Sequence, residues 1–144
     1  MKQVGLLVSS VALLVVVAVR AEDSKKSLEK LKGSWVITGM TVDGNDNDNA
    51  KGDTLTIDGD KWSVKTQGGE EMEGTLKVGA KDKLLTIDIA FTKGNESGKT
   101  ALGLYEVGDS SLKLCMSMPG ESDRPADLSA SAGSKRMLIV FKKK

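Results

Sequence analysis

The chain contains no histidine, one cysteine, two prolines, two Trp, one Tyr and two Phe in 144 residues. The missing histidine removes a Ser-His-Asp triad, a His general base and a His-ligated metal site together. Cys115 stands alone, so no intrachain disulfide forms and stability rests on packing. A nucleophilic thiol also needs a base to make thiolate, and none of the usual kind is present. Paired carboxylates could act on glycosides, yet the aromatics (Trp35, Trp62, Phe91, Tyr105, Phe141) are too few to fill a core and line a sugar-stacking cleft as well. Charge of one sign is not concentrated anywhere except the Lys142–Lys144 tip, which excludes the basic stripe that tracks nucleic-acid phosphates. No enzyme, cofactor or metal site is expected.

Long apolar runs are limited to one. Lys2 precedes Val4–Val19, an apolar stretch broken only by Gly5, Ser9 and Ser10, and polar sequence resumes abruptly after Ala21. A positive start, a short apolar run and small residues before the cut describe a secretory signal peptide, with Val19 and Ala21 at the small-residue positions. A spanning helix needs about 20 apolar residues, more than this run supplies. The expected organisation is a signal peptide over 1–21 and one exported domain over 22–144, periplasmic or extracellular, with no membrane span after cleavage. Of the 21 Lys and Arg, removal of Lys2 and Arg20 leaves 19 against 20 Asp and Glu. That length buries a core without covalent staples.

Beyond residue 21 the apolar positions recur mostly at period two. Only Ser27–Lys32 reads as helix, with Leu28 and Leu31 on one face and Gly33 at the stop. Eight strands follow: Ser34–Val42, Thr54–Asp58, Lys61–Thr66, Glu71–Val78, Leu84–Thr92, Thr100–Val107, Ser111–Met118 and Met137–Phe141. Short Gly/Asp/Asn turns between them, among them Gly79–Asp82, predict antiparallel hairpins. The predicted fold class is all-β, an eight-stranded antiparallel up-and-down barrel with a short N-terminal helix. Alternation places Ile57, Val64, Leu76, Ile89, Leu114 and Met116 on the inner face, and Lys113, Cys115 and Ser117 on the outer one. In Thr100–Val107 the pairs Leu102/Leu104 and Tyr105/Val107 compete for the inside.

The helix followed by Gly33-Ser34-Trp35 and an eight-strand meander resembles the calycin, or lipocalin-like, barrels. A closer likeness is to an uncharacterised secreted domain family of planctomycete bacteria regarded as lipocalin-like. It runs through Leu31–Trp35, Leu55–Trp62, Gly98–Thr100, Gly103–Tyr105, Leu112–Cys115, Pro119–Pro125 and Val140–Lys142. The resemblance spans nearly the whole exported chain and implies a fold, with no activity attached. It also implies that Trp35 closes one barrel end and that an arginine, Arg124 or Arg136, packs over it.

Several motifs fail on their spacing. Gly94–Thr100 looks like a phosphate-binding loop, but three residues separate its glycines where four are required, and a strand follows instead of a helix. Asp43–Asn49 is rich in oxygen ligands, yet the sixth position is Asp48 and the twelfth Thr54, where a Ca²⁺ loop has Gly and Glu. Ser27–Lys30 has a Ser-x-x-Lys spacing without its usual companions. Two functions stay open. A closed eight-stranded barrel holds one small ligand, here an apolar one, with Trp35 and the inner set above as its candidate interior. The alternative is an extracytoplasmic protein-interaction or inhibitor module with a solid core. A hollow of about 300 Å³ or more separates them.

Overall fold

The computed structural model describes residues 21–144, so the expected signal peptide, but for Ala21, lies outside the described residues. Helix α1 (Ala21–Leu31) leads into nine strands: β1 (Gly33–Val42), β2 (Asn45–Asp46), β3 (Thr54–Asp58), β4 (Lys61–Lys65), β5 (Glu71–Lys81), β6 (Leu84–Lys93), β7 (Thr100–Val107), β8 (Ser111–Ser117) and β9 (Arg136–Lys143). Every pairing is antiparallel, in the order β1-β3-β4-β5-β6-β7-β8-β9, and β9 returns to β1 with Trp35 opposite Lys143 and Val42 opposite Met137. Closure of the eight long strands makes the expected up-and-down barrel and leaves no free edge among them. The two-residue β2 is a flap on β1.

Burial follows the alternation. In β5 Gly74, Leu76 and Val78 are buried while Glu73, Thr75 and Lys77 are exposed. Gly74 occupies an inner slot that no side chain could fill: a Cβ there would lie 1.7 Å from the Ala90 carbonyl oxygen and 2.8 Å from Trp62 Nε1. The bare backbone lets the Trp62 indole lie across the strand and donate to Ala90 O at 3.2 Å. The contest in β7 resolves in favour of Tyr105 and Val107, which join the core with Ala101.

Most strand ends lie within a residue or two of expectation, and the helix, one turn and one connection differ more. The helix reaches back to Ala21 where only Ser27–Lys32 shows apolar spacing. Strand β5 runs through Gly79 to Lys81, because the turn into β6 falls on Asp82 and Lys83, both at positive φ (51° and 68°). Paired positive φ values match the right-handed twist of a hairpin, and the sequence signal pointed to Gly79 because glycine is the usual occupant. The Asp43–Asp53 connection also carries order of its own. Asp43 and Gly44 turn the chain back into β2, and a 3-10 turn spans Asp48–Ala50 with the Asn47 side chain accepting from Asn49 N at 3.1 Å.

The largest correction concerns the outside of β7 and β8. Cys115 and Ser117 do alternate outward, yet both are buried, as is Leu104. The long segment between β8 and β9 lies over them: Cys115 Sγ donates to Ser129 O at 3.3 Å, and Ser117 Oγ donates to Asp123 O. Arg124 fastens this cover. Its Nη1 donates to Gly103 O (2.9 Å) and Ile87 O (3.2 Å), and its Nη2 to Asp88 Oδ1 at 2.6 Å. Polar alternation in β8 thus marks a second, smaller packing layer instead of a solvated face.

Candidate functional site

The two ends of the barrel are built differently. At one end lie α1 and the β3–β4, β5–β6 and β7–β8 turns; at the other lie the β1–β3, β4–β5, β6–β7 and β8–β9 connections. The helix end is packed solid. Leu31, Trp35 and Leu112 are fully buried and Ile87 nearly so. Trp35 Nε1 donates to Leu31 O at 2.9 Å, fixing the ring under the helix. The cation over that ring is Lys143, whose Nζ is 5.3 Å from its centroid. Neither arginine takes the place the family resemblance implies: Arg124 holds the outer loop, and Arg136 pairs with Asp127 at 3.4 Å. Burial raises the Tyr105 phenol above its ordinary pKa, opposed in part by a hydrogen bond with the Ser27 hydroxyl.

The loop end is hollow. A cavity of about 340 Å³ lies inside the strands there. Its wall is apolar, formed by Ile37, Leu55, Ile89, Leu114, Ile139 and Phe141 among others. Trp62 and Phe91 meet edge to face on one side, with centroids 5.1 Å apart and planes at 84°. Five of the six methionines of the chain (Met40, Met72, Met116, Met118 and Met137) line it. Unbranched thioethers fill irregular space and re-pack at small cost, so such a wall adapts to the shape of what it holds. The loop connections add Asn47, Asp53, Glu96 and Pro119.

Of the residues predicted to face the interior, Val64, Ile89, Leu114 and Met116 line this cavity. Trp35, Ile57 and Leu76 belong to the same core without forming its wall. The methionines of β1 and β9 and the polar residues of the rim escape sequence reasoning. Alternation ranks inward positions without saying which end of a barrel is full, although the crowding of methionine onto strand positions was a usable sign.

Other concavities carry less chemistry. A trough of about 500 Å³ runs over the outside of β3 and β4, among Thr54, Thr56, Ser63, Lys65 and Glu73. Its hydroxyls and alternating charges describe a solvated sheet face. Three carboxylates of the β1–β3 connection serve local structure: Asp43 Oδ1 accepts from Lys135 N at 3.0 Å, Asp46 Oδ1 from Thr41 Oγ1 at 3.2 Å, and Asp48 pairs with Lys51 at 3.0 Å. Among the described residues, no group of three or more His, Cys, Asp or Glu is placed to hold a metal ion. Gly94–Lys99 is the turn of the β6–β7 hairpin and leads into strand. No helix among the described residues is long and apolar enough to cross a membrane. No family model, no curated protein and no solved structure matches the chain, so the site stands on its own geometry.

Proposed function

We propose that this chain is an exported carrier or receptor for one small apolar molecule, held in the loop end of the barrel. The observation that carries this reading is the methionine-lined cavity of about 340 Å³. Pockets that enclose small ligands measure about 300–1,000 Å³ and combine an apolar wall with a few polar groups. The solid helix end supports the reading, because it gives the hollow a rigid floor. Export rests on the Lys2–Ala21 pattern, and the lipocalin-like kinship on the residues from Gly33-Ser34-Trp35 onward; both are part of the proposal. The interaction-module reading draws on Leu84 and Leu85, exposed together beside the β5–β6 turn.

The test uses the exported protein itself. Native mass spectrometry of protein taken from its own envelope or medium is expected to show a reproducible mass excess. N-phenylnaphthylamine, a neutral apolar dye, is expected to brighten on binding and to receive energy from Trp62. Val64→Phe, which places a ring in the hollow, should abolish dye binding while leaving the fold intact. An unliganded mass together with no dye binding overturns the proposal.

A further inference from the structure

We infer that the ligand bears a protonated amine head on its apolar body, and that Asp53 selects it. This rests on the ligand-binding reading above and adds to it the charge of what is bound. Among the described residues, the ionisable side chains in the cavity wall are Asp53 and Glu96, with no lysine or arginine. The two carboxylates differ. Glu96 already has a cation, because its Oε2 meets Lys99 Nζ at 3.0 Å on the β6–β7 turn. Asp53 has none among the described residues, and it is only 8% exposed.

Asp53 is also held in place. Its backbone carbonyl accepts from Ile37 N at 2.9 Å, its N–H donates to Ala50 O at 3.1 Å, and its Oδ1 accepts from Gln67 N at 3.0 Å. One neutral hydrogen bond leaves most of a carboxylate's acceptor capacity unused. A fixed, mostly desolvated carboxylate beside an apolar cavity attracts a cation more strongly than it would in water and repels an anion equally. Asn47 does not offset this, since its Nδ2 points to Met40 Sδ at 3.7 Å and its Oδ1 serves Asn49 N. A fatty-acid-like anion would therefore bring like charge to the rim, whereas a long-chain amine places its ammonium against Asp53 and its chain among the methionines.

The experiment compares decylamine, decanol and decanoate, which share one chain and differ in head group, by displacement of N-phenylnaphthylamine at neutral pH and low salt. The amine is expected to bind about tenfold more tightly than the alcohol, equivalent to ~1.4 kcal/mol, and the carboxylate more weakly than either. Asp53→Asn keeps an acceptor for Gln67 N and removes the charge, so the amine and the alcohol should then bind within about twofold of each other. Asp58→Asn, a carboxylate at the β3–β4 turn of the helix end and not part of the cavity wall, should leave the ranking as it is. If that variant of Asp53 does not fold, the ranking of the three heads on the unaltered protein decides alone. Decanoate binding as tightly as decylamine, or an amine preference that survives Asp53→Asn, overturns the inference while leaving the carrier reading standing. Failure of all three compounds and of the dye overturns both.

Discussion

The indole nitrogen of Trp35 donates to the carbonyl of Leu31 at 2.9 Å, so the first strand holds the last turn of the helix against the barrel end. The same ring carries Lys143 on its face, which draws the end of the last strand into the same knot. Trp35→Phe keeps most of the ring and removes the donor, leaving a buried carbonyl unmatched. Urea unfolding is expected to show a loss of about 1–3 kcal/mol. Dye binding in the cavity at the other end should be unaffected, and a matching loss of dye affinity would mean that the two ends are not independent.

Leu114 and Lys113 are neighbours in β8 on opposite sides of the sheet, the first 5% exposed and the second open to solvent. Leu114→Asp puts a carboxylate into the apolar wall, which costs several kcal/mol against a total stability of about 5–15 kcal/mol. That variant should unfold or fail to accumulate. Lys113→Asp should change stability by only about 0.5 kcal/mol in either direction. Equal behaviour of the two would remove the inner-face assignment, and the cavity with it.

Arg124 anchors the β8–β9 segment through a planar fork, two backbone carbonyls and the Asp88 carboxylate. Lysine cannot reproduce that geometry. Arg124→Lys is expected to lower stability by about 1–3 kcal/mol, the range for hydrogen bonds to a charged group in a partly exposed site. It should also speed alkylation of Cys115, which the segment covers. An unchanged alkylation rate would show that Arg124 does not hold the cover down.

Cys115 supplies a pH dependence whose direction is settled. Burial raises its thiol above the ordinary value of 9.0, with the Arg136 charge opposing and the Asp127 charge reinforcing. The folded state therefore keeps a proton that the unfolded chain releases. The contribution to stability is full below the unfolded pKa and is lost as pH rises through the raised folded value. Tyr105 adds the same effect further up, above its ordinary 10.0. Unfolding free energy should fall on the alkaline side, and Cys115→Ala should flatten the first part of that fall. A variant as alkali-sensitive as the parent would assign the loss to other groups.

Period-two alternation was enough to read the eight long strands, the closed meander and most of the inner face, because each strand touches one dry and one wet side. It failed where a side is dry for another reason. Cys115 and Ser117 look solvated in a list of residues because the cover over them comes from Asp123 and Ser129, residues of an irregular segment with no periodicity to read. Likewise the turn at Asp82 and Lys83 adopts positive φ without a glycine to announce it.

Local residue preference determined that this chain forms short antiparallel strands around an uncharged interior, since backbone pleat and apolar burial act over a few residues at a time. How that interior is divided is a property of the closed barrel. Trp35, Leu31 and Tyr105 fill one end because α1 folds back over it, while Met40, Met72, Met116 and Met137 meet around a cavity at the other because none of the described elements covers them from inside. Asp53 joins them through the backbone bonds to Ile37 and Ala50 and the Gln67 N–H on its Oδ1. Such distances between residues remote along the chain are set by strand closure, to which no single stretch of sequence has access.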